Sequence, residues 1–142
     1  ARVHLVGLHL QAQKDYADTR VAQFPQLQSF IERQDIPATE LLLVAGDFNV
    51  DFFSRHSDGE FDRLTQLIGL VLPEDTPLPT YDHTDNTLVT DEVTERLDYV
   101  FYSSRHRLPL SASNTVLPFL MEGADLSDHH AVVGRFTLGE RQ

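Results

Sequence analysis

The stretch Leu41-Leu42-Leu43-Val44-Ala45-Gly46-Asp47-Phe48-Asn49 decides how this chain folds. Five consecutive apolar residues stopped by glycine are the pattern of a strand covered on both faces, which puts it inside an α/β layer. The glycine lets the chain turn as it leaves the strand, and a carboxylate and an amide two positions apart follow at once. Such a loop can hold a metal-bound water and a phosphate oxygen from one rigid base. It can equally spend both side chains on the local backbone, as Asp and Asn do in turns.

Upstream, residues 2–10 mix Val3, Leu5 and Val6 with His4, Gly7 and His9, which suits a half-buried strand. Residues 19–33 place Val21, Phe24, Leu27, Phe30 and Ile31 on one helical face, so Pro25 must sit in the first turns or kink the helix. Downstream, Ser57-Asp58-Gly59-Glu60 has capping-box spacing ahead of a short helix carrying Phe61, Leu64, Leu67 and Ile68 and ending near Gly69. Residues 73–91, rich in Pro, Thr, Asp and Asn, read as a long ordered loop. Strands are expected over 96–102, 112–116 and 131–138, with a turn over 123–128. Strands alternate with helices early and follow one another late, which predicts an α/β (α+β) layered fold with a mixed sheet and no internal repeat or linker.

The 142 residues are enough for one core. Asp plus Glu number 22 against 11 Lys plus Arg, a net charge of -11. This sign disfavours nucleic acid held by its backbone phosphates, unless a divalent cation sits between carboxylate and phosphate. The absence of cysteine removes disulfides, thiolate metal sites and cysteine nucleophiles together. No apolar run approaches the roughly 20 residues of a membrane span. Compartment stays open, with a secreted or periplasmic bacterial setting favoured.

Three further clusters carry chemistry. Arg96-Leu97-Asp98-Tyr99 puts an acid inside an apolar strand, costly unless Arg96, a metal or a histidine pairs with it. Ser127-Asp128-His129-His130 precedes the last strand and joins a potential metal ligand to a side chain that titrates near neutral pH. Taken singly, it also fits a polar turn with surface histidines. His9, taken singly, is more simply a satisfied strand residue.

The four occur in the order His9, Gly46-Asp47-Phe48-Asn49, Arg96-Leu97-Asp98-Tyr99, Ser127-Asp128-His129, and this ordered set resembles the endonuclease/exonuclease/phosphatase superfamily of metal-dependent phosphoesterases. Val3-His4-Leu5-Val6-Gly7-Leu8-His9-Leu10-Gln11, Phe30-Ile31-Glu32-Arg33-Gln34-Asp35-Ile36-Pro37 and Pro79-Thr80-Tyr81-Asp82 through Asn86 are similar to bacterial-type neutral sphingomyelinases, the sphingomyelinase C group. The resemblance runs from about Val3 to Phe136.

It implies phosphodiester hydrolysis by in-line attack of water on phosphorus. His129 would be the general base, Asp98 its orienting partner, and Asp47 and Asn49 would position the nucleophile and the phosphoryl oxygens. His9 would bond a phosphoryl oxygen, making His9 and Asn49 the substrate-binding pair. Asp128 and Asp47 would lie at the metal, Mg²⁺ being the natural ion for oxygen ligands. The expected substrate is a phospholipid or another phosphodiester.

The chain also departs from the pattern. Leu8 stands where the family usually has a threonine, and the segment containing Val116-Leu117-Pro118-Phe119-Leu120-Met121 is shorter and less aromatic than the membrane-docking hairpin of some secreted members. Core or loop packing is therefore expected of it ahead of a membrane surface. The family's N-terminal half supplies an Asn and a metal-binding Glu ahead of the His-bearing strand. Residues 1–142 are thus expected to be a single unit, the C-terminal half of a four-layer α/β/β/α sandwich of the deoxyribonuclease-I-like type. One sheet face should then be bare and await that N-terminal half or a dimer partner. A nuclease or inositol-phosphate phosphatase of the same fold, and a binding module without turnover, are the competing expectations.

Overall fold

The computed structural model describes residues 2–74, 76–118 and 120–139. Its main sheet has four strands in the order β1-β2-β6-β3. These are β1 (Val3–His9), β2 (Leu41–Asp47), β6 (Asp98–Ser103) and the two-residue β3 (Leu70–Val71). β1 and β2 run parallel, joined by the helix α1 (Ala17–Glu32), while β6 runs antiparallel to both β2 and β3. Short pairs β4 (Tyr81–Asp82) with β5 (Thr94–Glu95), and β8 (Leu120–Met121) with β9 (Ala124–Asp125), lie outside it. The antiparallel ribbon of β7 (Ser111–Leu117) and β10 (Ala131–Thr137) forms a second small sheet.

Side chains alternate between the faces of a strand, so each strand serves two layers. Leu42 and Val44 of β2 and Tyr99 and Phe101 of β6 face α1 and α3 (Glu60–Ile68), the latter preceded by the one-turn helix α2 (Arg55–Asp58), and there they join Phe24, Ile31, Phe48, Phe61, Leu64 and Ile68 in one core. Aromatic rings supply much of it. Phe48 meets Tyr99 and Phe101 edge-on at 5.7 and 5.0 Å, and such pairs add about 0.5–1.5 kcal/mol each beyond their buried area.

The opposite face is covered unevenly. β10 lies so close to β6 that a Cβ on Gly134 would come within 2.9 Å of Val100 Cγ1, and Phe136 packs on Tyr102. Asn114 of β7 donates its amide to the Val100 carbonyl at 3.2 Å. Beneath β1 no such cover exists among the described residues: Val3 is 47% and Leu5 66% exposed.

Two local expectations are corrected and a third is narrowed. α1 begins at Ala17, which makes Pro25 an interior helical residue; buried Phe24 and Ile31 anchor the helix on either side of it. The capping box does not form, because Gly59 is the N-cap of α3 and the Glu60 carboxylate is taken by buried Arg20 at 2.7 and 2.9 Å. Of the core or loop packing expected around Leu117, Leu120 and Met121, core packing falls away: all three are exposed, Leu117 at the end of β7 and the other two in β8. Phe119 lies outside the described residues. No helix among the described residues is long and apolar enough to cross a membrane.

Candidate active site

Because β6 runs against β1 and β2, the carboxyl ends of the first two strands meet the amino end of the third. Register pairs His9 with Asp47 and Asp47 with Asp98, so the three residues form a single rung across three strands. Register partners share a face, and here it is the face turned away from the helices. Gly46, one step before the rung, has φ of +137°, and a Cβ there would stand 2.0 Å from the Leu8 carbonyl oxygen. Only glycine lets β1 and β2 approach this closely at the site.

His129 arrives from the loop ahead of β10. Its Nδ1 lies 2.7 Å from Asp98 Oδ2, which fixes Nδ1–H as the donor and leaves Nε2 free to accept a proton. The imidazole pKa is raised above its ordinary value by the Asp98 hydrogen bond, opposed by burial, and supported by the charges of Asp98, Asp47 and Asp128. The Tyr81 ring stands 5.1 Å from that of His129. Burial and the carboxylates Asp91, Asp128 and Glu95 push its phenol up, so it stays protonated as a donor.

Asp47 is half-buried, and its pKa is raised by burial first and by neighbouring Asp98 second. The Asn49 backbone N–H donates to Asp47 Oδ1 at 2.8 Å, and the Asn49 side chain, with φ of +52°, donates to the Leu10 carbonyl at 3.1 Å. That bond uses one of two amide protons and leaves a second donor. His9 Nε2 is 3.4 Å from Asp47 Oδ2, with its ring 70% exposed to the cleft.

These residues line a cleft of about 890 Å³ together with Gln13, Lys14, Asp15, Tyr81, Asp91, Glu95 and Asp128. Lys14 is the one lysine or arginine among its lining residues, and it is paired with Glu95 at 3.1 Å. Asp47, Asp98 and His129 each offer a ligand atom within 4.8 Å of the others. Two carboxylates paired across one rung beside an imidazole are a donor set that a divalent cation would neutralise. Asp128 lines the same cleft but is exposed and stands outside this trio.

The structure thus brings His9, Asp47, Asn49, Asp98, Asp128 and His129 to one cleft. Asp98 meets His129; Arg96 instead packs, fully buried, near the rings of Phe52 and Tyr99. Lys14, Asp91 and Glu95 were not legible as site residues in the sequence, because charged loop positions carry no pattern. Tyr81 and Thr80 carried a signal only as part of the Pro79-Thr80-Tyr81-Asp82 segment.

Comparison with known proteins places these features. Sphingomyelinase C of Bacillus cereus is 31% identical over 128 residues, covering 81% of this chain and 38% of that protein. The crystal structure of sphingomyelinase C from Streptomyces griseocarneus is 29% identical with a TM-score of 0.76, over 96% of this chain and 53% of that one. A Staphylococcus aureus beta toxin mutant crystallised with bound magnesium ions shares the fold at 20% identity and a TM-score of 0.74, over 95% and 53% of the two chains. The chain therefore spans about two fifths to half of these relatives. The model of the Endonuclease/Exonuclease/phosphatase family matches residues 4–129, so that the rung and the His129–Asp98 pair both lie inside the match, and the chain belongs to that family.

Proposed function

We propose that the protein is a metal-dependent phosphodiester hydrolase of the sphingomyelinase kind. The observation that carries this reading is the 2.7 Å contact of His129 Nδ1 with Asp98, set over the His9–Asp47–Asp98 rung in an open acidic cleft. Nε2 of His129 takes the proton of the attacking water, and Asp98 holds the ring in the tautomer that leaves Nε2 unprotonated. The free amide proton of Asn49 and the exposed imidazole of His9 donate to phosphoryl oxygens, whose negative charge grows in the transition state. Asp47 fixes the Asn49 loop through its bond to the Asn49 backbone. With Asp98 holding His129, Asp47 is the member of the cluster left for a cation, and we assign it and Asp128 of the same cleft to that ion, Mg²⁺ by its preference for oxygen ligands; when bound, it would supply positive charge against the phosphoryl group.

We also read residues 1–142 as the C-terminal portion of the family domain. Exposed Val3 and Leu5 on the sheet face away from α1, and a span of about half the solved relatives, support this. On that reading the remainder of the domain packs against this face and completes the metal ligands.

The test gives the full-length protein Mg²⁺ and, separately, sphingomyelin vesicles, plasmid DNA and an inositol polyphosphate. Sphingomyelin hydrolysis should dominate and be abolished by His129→Ala. Dominant DNA cleavage or phosphate release would overturn the substrate assignment in favour of a nuclease or phosphatase.

A further inference from the structure

Residues 80–95 run along the cleft as a strap held by hydrogen bonds that involve the buried residues Thr80, Asp82, Asn86 and His130. At its start stands Thr80, fully buried, with each of its polar groups engaged. Its hydroxyl oxygen accepts from the backbone N–H of Leu97 at 3.0 Å and of Asp98 at 3.1 Å. Its carbonyl accepts from the His130 N–H at 2.8 Å, and its own N–H donates to the Glu95 carbonyl at 2.9 Å. Further along, Asn86 donates its amide to the Ser127 carbonyl at 2.9 Å, and Asp85 meets the buried ring of His130 at 2.9 Å.

The position of these bonds matters. Asp98 is the first residue of β6, and β3 pairs with β6 only at the far end, through Tyr102 and Ser103. At the entry to β6, beyond the reach of β3, one threonine hydroxyl receives the consecutive N–H groups of Leu97 and Asp98, which a regular strand would point to opposite sides. Through its carbonyl the same residue holds the backbone next to His129. We propose that Thr80 is the positioning residue of the His129–Asp98 pair, a single side chain and carbonyl that fix the spacing of both partners. The catalytic consequence rests on the hydrolase reading above; the geometric one does not.

Replacing Thr80 by valine keeps shape and burial but removes the acceptor, whereas serine keeps the acceptor. Misplacing a catalytic pair by about 1 Å costs on the order of 100-fold in rate. In the full-length protein, Thr80→Val should lower kcat by about that factor with KM little changed, and Thr80→Ser should restore most of it. In the Asp98→Asn background Thr80→Val should cost little more, because the pair it positions is already broken.

A readout independent of turnover accompanies this: the low-field proton resonance of His129 Nδ1–H. It should be present in the native protein and Thr80→Ser and be lost or moved upfield in Thr80→Val. A Thr80→Val protein that folds with this resonance unchanged overturns the proposal, whatever the substrate proves to be. So does an equal rate penalty in the Asp98→Asn background. If all phosphodiesters fail as substrates yet the resonance responds as stated, the hydrolase reading fails and the positioning role stands. Should valine prevent folding, Thr80→Ala replaces it and must lose the resonance that serine keeps.

Discussion

Asp98 Oδ2 and His129 Nδ1 stand 2.7 Å apart although 31 positions separate them, and the hydrogen bond raises the imidazole pKa. A base must be neutral to accept a proton, so kcat should rise with pH through a value above the ordinary 6.5 of histidine. Asp98→Asn removes the carboxylate bond and charge that raise it most, and leaves burial, which lowers it, against the smaller pull of Asp47 and Asp128. The acidic limb should then move to lower pH while kcat falls by as much as roughly 10⁴-fold. A pH profile of kcat on both proteins checks this; an unmoved limb would remove Asp98 from the pair.

Asp47 trades stability for chemistry. Its folded pKa lies above the unfolded one, so its contribution is whole below the unfolded value of 3.8 and is lost as pH rises through the raised folded value. At pH 7 the ionised side chain is therefore a cost, and metal-free Asp47→Asn should be more stable than the native protein by about 1 kcal/mol. Chemical denaturation with chelator present measures it. The same variant should bind Mg²⁺ more weakly by calorimetry, and a native-like affinity would take Asp47 out of the metal site.

Gly46→Ala should be among the most damaging single changes. Any side chain at φ of +137° is strained, and this one would meet backbone, not a yielding side-chain end. A loss of at least about 3 kcal/mol in urea denaturation is expected. A loss below 1 kcal/mol would mean that β1 and β2 can move apart without cost.

Arg20 and Glu60 form a buried two-bond pair between α1 and α3, with Arg20 also donating to the carbonyls of Gln11 and Gln13. Arg20→Ala strands a buried carboxylate and should cost about 3–5 kcal/mol. Arg20→Met combined with Glu60→Leu should recover most of that. Additive losses in the double variant would show that Arg20 acts mainly through the Gln11 and Gln13 carbonyls.

What was legible in the sequence follows from what holds each part together. β1, β2, β6, α1 and α3 are organised by apolar side chains, whose spacing is visible in one dimension, and their existence and type are as expected. The Asp98–His129 contact could be anticipated because an acid within an apolar strand needs a partner, although spacing could not choose between Arg96 and a histidine. Residues 73–91 read as an ordered loop, but the bonds that order the 80–95 strap were opaque for the opposite reason. Its order comes from buried Thr80, Asp82 and Asn86 hydrogen-bonding to residues more than ten positions away, as Thr94 does to Asp82 at 2.8 Å. Polar residues in a loop look the same whether they are solvated or buried.

The rung that joins His9, Asp47 and Asp98 places a limit on how this site can change over generations. A substitution on it alters one group, but an insertion or deletion of one residue within β1, β2 or β6 shifts that strand by one place and turns its functional side chain to the helix layer. Length variation should therefore be confined to the connections between these strands. Within them the chain should tolerate changed residues far better than changed spacing.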